Sequence, residues 1–449
     1  MIDMKKVALN VGALVTIVLV AAIMSGCVQD QQPPAVKTID DFASDIVTLL
    51  IEKNYTGVYS FFNTSITSQV SALDFGNIWA QQIIAPNGNI TRIVRSRLTN
   101  ESGYTVVYVT CNFSKANVLD IKVIFNDKRR IIGLTVVPTP EAIQYMVPSY
   151  VNLSAFTESN ISLGSGQWKL PGTLSVPKGA GPFPAVVLVH GSGPNDRDET
   201  YGPNKPFKDI AWGLASKDIV VLRYEKRTKQ YPDEFAAIKN FTVQDETITD
   251  SLAAVDVLNA LSVVDHSRIF VLGHSLGGML APRIRSQDDR IAGLVILAGP
   301  TRHLEDLMLE QTRYLANLSG INQSQQIASL EQLVEKVKSL NISQGQFVLG
   351  APKSYWADLA TYDPVVVARS LHIPLLILQG KRDYQVTMTD FARWNETFFG
   401  NASVTLKTYP SLNHFFIAGT GVSSNADYLI AGHVDEQVIS DIASWIKSQ

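Results

Sequence analysis

The sequence predicts a small α+β unit followed by a larger α/β unit, whose mostly parallel sheet is flanked by helices. Apolar runs typical of buried parallel strands occur at 184–190, 268–272 and 374–380. Segments with helical spacing of apolar residues separate these runs, which is the alternation expected of an α/β fold. Before them, residues 38–138 contain helical patterns followed by four strand-like segments, which indicates an antiparallel meander.

Length and composition are those of an ordinary globular protein. The chain has 449 residues, of which 46% are hydrophobic and 18% are charged, and this length suggests two or three domains. A net charge of −3 gives no reason to expect a nucleic-acid partner. Two cysteines, Cys27 and Cys111, exclude a disulfide framework, and no metal-ligand spacing is present. We therefore expect no metal site.

The first 27 residues have the pattern of an export segment. Lys5 and Lys6 precede an apolar stretch at 7–24, and Ser-Gly leads directly into Cys27. Three alternatives remain open: a lipid attached to Cys27, an uncleaved membrane anchor of about 18 apolar residues, or a free secreted form. Each alternative predicts an exported protein, and the first two predict a membrane tether.

A polar, proline-containing linker at 28–37 follows the export segment. The downstream chain is rich in the acceptor pattern for N-glycosylation, N-x-S/T, where chance would give about three matches. This excess predicts a surface glycoprotein in an extracytoplasmic location. The acceptor asparagines are Asn54, Asn63, Asn89, Asn100, Asn112, Asn152, Asn160, Asn240, Asn317, Asn322, Asn341, Asn395 and Asn401.

Residues 38–138 predict a separate α+β domain without a catalytic cluster. Cys111 alternates with Val109 on one strand face and is interpreted as a core residue. Residues 139–160 are interpreted as a connector to the larger unit. The predicted helices are 39–52 and 55–73, the second broken by Asn-Thr-Ser, and the predicted strands are 91–98, 104–111, 118–125 and 131–137.

A G-x-S-x-G motif lies between a predicted strand and a predicted helix. Gly273, His274, Ser275, Leu276 and Gly277 form this motif. A sharp strand-turn-helix connection exposes the central serine, and its glycines allow strand and helix to approach closely. Because such motifs also arise by chance in turns, the rest of the sequence must decide whether this serine is catalytic. The interpretation makes Ser275 a nucleophile and the Leu276 N–H an oxyanion donor.

An acid and a histidine follow in the order that such a nucleophile requires. Asp383 comes shortly after the predicted strand 374–380, and His414 follows another predicted strand at 403–409. Carboxyl ends of parallel strands meet at one rim of the sheet, where Ser275 is also expected. We therefore predict Asp383 and His414 as the partners of Ser275.

The glycine-rich segment after strand 184–190 supplies the second expected oxyanion donor. His190 is followed by Gly191, Ser192 and Gly193. A loop at this position can direct a backbone N–H of Ser192 or Gly193 toward the oxyanion. His190 itself is interpreted as structural.

The segment from about 301 to 372 is longer than the single helix that a minimal fold needs between two strands. The segments 303–318 and 325–340 are amphipathic helical patterns. The insertion is interpreted as a helical cap over the strand ends that shapes the substrate pocket; packing of the scaffold alone is the alternative.

The chain resembles α/β-hydrolases of the carboxylesterase and serine-peptidase kind from about residue 161 to its end. The resemblance rests on LVHGSGPNDRDET at 188–200, LRYEKR at 222–227, GHSLGG at 273–278 and GKRD at 380–383. With its first domain, the chain resembles exported prokaryotic carboxylesterases that carry a small α+β domain of unassigned function. The resemblance implies an eight-stranded sheet and a catalytic domain at 161–449.

These observations predict a serine hydrolase that cleaves small carboxylic esters through an acyl-enzyme, without a cofactor. A serine peptidase or amidase is the first alternative, and an acyltransferase of the same fold is the next. A surface binding protein on an inactive scaffold is less favoured, because Ser275, Asp383 and His414 form a complete set. The natural substrate, the accepted acyl length and the oligomeric state are not predicted.

Overall fold

The computed structural model describes residues 38–67, 70–101, 104–115, 118–139, 145–319 and 323–449. These residues form two compact units: the first contains 38–139 together with 315–319, and the second contains 145–314 and 323–449. The predicted export segment 1–27, with Cys27, and the linker 28–37 lie outside the described residues. Among the residues described, no helix is both long and apolar enough to cross a membrane.

The first unit is built on a four-stranded antiparallel meander in the order β1-β2-β3-β4. Its strands are β1 (Ile90–Glu101), β2 (Tyr104–Phe113), β3 (Val118–Phe125) and β4 (Ile131–Pro138). Its helices are α1 (Ile39–Ile51), α2 (Tyr55–Tyr59), α3 (Thr64–Thr67), α4 (Ala72–Ile78) and α5 (Ala85–Asn87), with a π-helical segment at Trp79–Ile84.

Local sequence explains where α1 begins and which face it buries. The Thr38 hydroxyl accepts the Asp41 N–H at 3.2 Å and so caps a free donor of the first turn. The buried side chains of α1 recur at helical spacing: Ala43, Ile46, Val47 and Leu50. The predicted helix 55–73 is divided into three short helices, and the first break falls at Asn63.

The second unit contains an eight-stranded sheet in the order β14-β13-β10-β9-β7-β8-β6-β5. Only the pairings of β5 with β6 and of β6 with β8 are antiparallel, so the predicted mostly parallel sheet is confirmed. The strands are β5 (Phe156–Leu163), β6 (Leu170–Pro177), β7 (Phe183–Val189), β8 (Val220–Tyr224), β9 (Val264–His274), β10 (Ile291–Leu297), β13 (Leu375–Gly380) and β14 (Val404–Tyr409), with a separate hairpin of β11 (Phe347–Val348) and β12 (Ala351–Pro352).

Helices cover both faces of this sheet and give it two apolar layers. The helices are α6 (Pro206–Ala215), α7 (Arg227–Gln230), α8 (Pro232–Ala237), α9 (Thr249–Asn259), α10 (Leu276–Arg285), α11 (Leu304–Ser319), α12 (Ser324–Lys338), α13 (Lys353–Ala360), α14 (Pro364–Leu371), α15 (Met388–Phe398) and α16 (Glu436–Ser448), with a π-helical segment at Gln244–Ile248 and a 3-10 helix at Asn425–Leu429.

Two boundaries differ from those that the sequence predicts. Strand β5 starts at Phe156, inside the segment interpreted as a connector. The sequence also predicts one long helix over 242–264 before the strand that leads to Ser275. The helix ends at Asn259, because Val264 already pairs with Phe183 as the start of β9. Pairing of this β-branched stretch with β7 outweighs helix continuation.

The insertion between β10 and β13 is richer in helices than predicted. The two expected amphipathic helices are present as α11 and α12, and the hairpin β11–β12 and helices α13 and α14 follow them. Asp363 caps the start of α14, because its carboxylate accepts the N–H groups of Val365 and Val366. Helix α14 packs beside α10. The insertion therefore lies against the helix that follows Ser275.

Candidate active site

Ser275 occupies the sharp turn between β9 and α10. Its backbone has φ 54° and ψ −119°, a conformation that costs energy for a residue with a side chain. The turn is held because the Ser275 N–H donates to the Leu297 carbonyl at 2.9 Å, at the end of the adjacent strand β10. The side chain is half-buried at the carboxyl end of the central parallel strands.

The glycines of the motif are required by close backbone contacts. A Cβ on Gly273 would lie 2.1 Å from the Gly277 carbonyl oxygen, and a Cβ on Gly277 would lie 2.2 Å from that of Val189. Both distances are far below a van der Waals contact. Only glycine lets β9, α10 and β7 approach closely enough to form the turn.

Asp383 and His414 meet through a short hydrogen bond. The Nδ1 atom of His414 lies 2.6 Å from Oδ2 of Asp383, and both side chains are buried. Because a carboxylate only accepts hydrogen bonds, Nδ1 carries the proton, which leaves Nε2 of the neutral ring as a proton acceptor. This is the tautomer that a general base needs.

Besides His414, three further donors hold the Asp383 carboxylate. Its Oδ1 accepts the N–H groups of Gln385 at 2.8 Å and Val386 at 3.0 Å. The Gln379 side chain donates to Oδ2 at 3.1 Å. Sequence reasoning missed Gln379, although one polar residue in the otherwise apolar strand β13 was a usable signal.

Other carboxylates and histidines are engaged elsewhere. Asp390 accepts the N–H groups of Thr301 and Arg302 and pairs with the Arg302 guanidinium at 2.7 Å. His433 pairs with Asp209 at 3.1 Å. Neither Asp390 nor His433 competes for the partners of Asp383 and His414.

The loop after β7 passes directly beside the nucleophile. A Cβ placed on Gly191 would be 3.1 Å from the Ser275 Cβ. The Gly191 N–H is already donated to Glu199 at 2.7 Å, so it is not free for an oxyanion. Among the described residues, the N–H groups of Ser192, Gly193 and Leu276 donate to no other group, and these are the donors that the sequence predicted.

A second buried histidine pair lies under this loop. Nδ1 of His274 is 2.9 Å from Oε2 of Glu199, and Nε2 of His274 is 3.0 Å from the His414 carbonyl oxygen. Burial opposes a charge on this ring, but the Glu199 carboxylate outweighs burial and raises the pKa of His274. Burial likewise opposes the carboxylate, while His274 lowers the pKa of Glu199.

His190 has the structural role that the sequence indicated. Burial lowers the pKa of His190 to about 4, and its Nε2 lies 3.0 Å from the Asp196 carbonyl oxygen. The ring packs against Phe207 and Tyr224. A neutral, enclosed imidazole at this position holds the loop.

Asp383 and His414 are hydrogen-bonded at the rim that holds Ser275, but no hydrogen bond joins either of them to the Ser275 hydroxyl among the described residues. Asp383 is bonded to His414, and His414 is joined through its carbonyl oxygen to His274, the residue before Ser275. Within the described residues, the Ser275 hydroxyl itself makes no hydrogen bond. Hydrogen bonds at a catalytic serine are often long before substrate binds.

A cavity of about 170 Å³ starts one helical turn from the nucleophile. Met279, whose N–H donates to the Ser275 carbonyl, is one of its walls. The insertion between β10 and β13 supplies much of the rest, including Arg302, Leu359 and Tyr362. Ser275, Asp383 and His414 are not among the residues that line this cavity.

Two family models match the chain. Residues 43–134 match a family described as a protein of unknown function (DUF3887). Residues 207–431 match the prolyl oligopeptidase family, and this match includes Ser275, Asp383 and His414. The chain belongs to the prolyl oligopeptidase family. The predicted α/β-hydrolase resemblance is thereby confirmed.

Relatives of this family member include named esterases. The chain is 38% identical to Esterase EstD of Thermotoga maritima over 407 residues, which cover 91% of this chain and 95% of EstD. Among solved structures, an esterase of Pyrococcus furiosus is 18% identical with a TM-score of 0.42, covering 70% of this chain and 97% of its own. Est1E of Butyrivibrio proteoclasticus is 14% identical with a TM-score of 0.41, covering 65% and 99%. The chain is a hydrolase of the carboxylesterase type.

Proposed function

We propose that the chain hydrolyses carboxylic esters through an acyl-enzyme formed on Ser275. His414 accepts the hydroxyl proton as the Ser275 oxygen attacks the ester carbonyl. Asp383 orients the ring and stabilises the imidazolium that results. The protonated ring then donates to the leaving alcohol, and water releases the acyl group by the same steps in reverse.

The single observation that carries this proposal is the 2.6 Å bond from His414 Nδ1 to Asp383 on the rim that holds Ser275. Ser275 lies at this rim in a strained turn and is half-buried. The N–H groups of Leu276, Ser192 and Gly193, which donate to no other group among the described residues, are the proposed oxyanion donors. No step of this chemistry calls for a metal or an organic cofactor.

Small esters are the proposed substrates, with a short acyl chain preferred. The test is a turnover panel on the part of the chain from about Gln32, using p-nitrophenyl esters of increasing acyl length beside aminoacyl and peptidyl anilides. We expect kcat/KM to be highest for short acyl esters.

Peptidase or amidase activity is the alternative within the same fold, and acyl transfer to an alcohol comes next. The same panel separates them. Efficient anilide cleavage with poor ester turnover would replace the esterase proposal by a peptidase. Product formation that depends on an added alcohol would indicate acyl transfer.

The enzyme is further proposed to work outside the cytoplasm as a glycoprotein, tethered to a membrane by its first 27 residues. The support is the sequence itself: Lys5 and Lys6 before an apolar stretch, Cys27 after Ser-Gly, and the excess of N-glycosylation sites. We expect the native protein in the membrane fraction.

Intact mass after deglycosylation separates the two tethers. A lipid on Cys27 removes residues 1–26 and adds the mass of acyl chains, whereas a membrane anchor retains the whole chain. Recovery of the unmodified full-length chain from the soluble cytoplasmic fraction would contradict both tethers.

A further inference from the structure

Glu199 faces two different segments of the candidate site with its two oxygens. Oε1 accepts the Gly191 N–H at 2.7 Å, and Oε2 lies 2.9 Å from His274 Nδ1. The side chain is only 5% exposed. Its backbone has φ 51°, a left-handed conformation that is uncommon for glutamate. A buried carboxylate, carried by a residue with a strained backbone, therefore connects the loop after β7 to the residue before the nucleophile.

His274 extends this connection to the base. Its Nε2 donates to the His414 carbonyl oxygen at 3.0 Å. Its Nδ1 faces the Glu199 carboxylate at 2.9 Å, a close contact without hydrogen-bond geometry. The nearby carboxylate favours the charged form of the ring. The ring also packs against the His414 ring, with centroids 4.6 Å apart.

Gly191 is held from its other side as well. Its carbonyl oxygen accepts the Lys226 ammonium at 2.9 Å, and Lys226, which is 2% exposed, pairs with Glu246 at 2.7 Å. The segment LRYEKR at 222–227 therefore has a definite role here. Two further residues of this segment form ion pairs with the loop after β7: Arg223 pairs with Asp198, and Glu225 pairs with Arg197.

We propose that Glu199 is a positioning residue that fixes the oxyanion loop, the nucleophile turn and the base loop relative to one another through Gly191 and His274. The inference rests on the proposed Ser275 chemistry. The N–H groups of Ser192 and Gly193 follow Gly191 directly in the chain, so their placement depends on where Gly191 is held. Losing Glu199 displaces donors that act chiefly in the transition state, so kcat should fall more than KM rises.

Glu199→Gln is the sharpest substitution. The amide keeps the side-chain length and an oxygen that can accept the Gly191 N–H, but it removes the charge that faces His274. We expect kcat for a short p-nitrophenyl ester to fall about 10- to 100-fold, less than removal of an oxyanion donor costs. KM should stay within about threefold of the wild-type value.

His274→Gln tests the same connection from its other end. It should lower kcat by a similar factor. The double variant Glu199→Gln/His274→Gln should lie within about threefold of the worse single variant, because both residues act as one unit. Full multiplication of the two losses would contradict the proposed connection.

Asp209→Asn is the matched control. Asp209 is a fully buried carboxylate that also pairs with a histidine, His433, and accepts the Val434 N–H at 2.9 Å. Its hydrogen-bond partners are Tyr145, His433 and Val434, and none of them is the nucleophile, the acid or the base. This variant should lose thermal stability but keep kcat within about twofold of wild type.

Inhibition by phenylboronic acid, which forms a tetrahedral adduct on a catalytic serine, gives a readout that a purely structural role would not change. Glu199→Gln should weaken its binding by about the factor lost in kcat/KM. A folded Glu199→Gln variant with kcat within twofold of wild type would overturn the inference, and so would an equal kcat loss in Asp209→Asn. If Glu199→Gln does not fold, His274→Gln decides by the same criterion.

Ser275→Ala in the same assay separates the two proposals. Turnover that survives this substitution refutes the proposed function itself. An inactive Ser275→Ala beside a fully active Glu199→Gln refutes only the positioning role.

Discussion

Cys111 and Ser275 are both nucleophilic residue types in β-rich surroundings, one in each unit, and their environments are opposite. Cys111 lies within β2, fully enclosed by the apolar core of the first unit. Burial, assisted by the nearby Asp120, raises the pKa of Cys111 to about 12. Ser275 follows the end of β9 in a strained turn and remains half-buried.

The difference shows that position in the sheet decides reactivity more than residue type does. A thiol is intrinsically the better nucleophile, but it must ionise, and an apolar core suppresses ionisation. A hydroxyl is weak by itself, but at a strand end it can meet a base and oxyanion donors. Because strand ends release the chain into loops, several segments can bring polar groups to one point.

The largest predicted effect is that of replacing Ser275, the reactive member of this pair. Ser275→Ala should lower kcat for short esters by at least about 10⁴-fold, with the melting temperature nearly unchanged, because no core contact is lost. Cys111→Ala is the matched substitution in the first unit, and its kcat should stay within about twofold of wild type. A large loss of turnover in the cysteine variant would show that the first unit takes part in the chemistry.

The next largest effect distinguishes the roles of two buried aspartates of the second unit, Asp383 and Asp390. Asp383→Asn should lower kcat by about 10⁴-fold, because the imidazole loses the carboxylate that sets its tautomer. Asp390→Asn should instead lower the melting temperature, since Arg302 keeps its charge beside a neutral amide. Steady-state kinetics and thermal unfolding of both variants make the test. Essential Asp390 with dispensable Asp383 would overturn the assignment of the acid.

The smallest effect concerns the thiol itself. In the chain from about Gln32, Cys111 is the only cysteine. At pH 8 it should resist a maleimide in the folded protein and react in guanidinium chloride, because burial keeps it neutral and inaccessible. Mass spectrometry gives the labelled fraction. Rapid labelling of the folded protein would mean that β2 opens readily.

Much of the fold and part of the site could be predicted from local patterns. The strand at 374–380, the motif around Ser275 and the order of Asp383 and His414 each needed only a short stretch of chain and a rule about strand ends. The match to the prolyl oligopeptidase family confirmed the resemblance. The roles of the individual site residues stay predictions until the variants are measured.

The contacts of Glu199 and Lys226 could not be predicted in the same way. Glu199 lies in an acidic stretch that looks solvated, and only folding places it against His274, which is distant in sequence. Lys226 belongs to the LRYEKR motif, which in sequence gives no sign that its ammonium donates to the Gly191 carbonyl oxygen. Periodicity predicts which face of an element is buried, but it does not predict which buried charges meet across elements.

The strand order also makes this enzyme depend on the completion of its own chain. Strand β13, which leads to the acid, pairs with β10 on one side and with β14 on the other, and β14 leads to the base. The proposed acid and base therefore come late in the sequence, whereas the turn that holds Ser275 comes much earlier. Long-range parallel pairings of this kind form slowly. On the proposed mechanism, a nascent chain therefore has no hydrolase activity until β14 and the loop that carries His414 have been synthesised and folded.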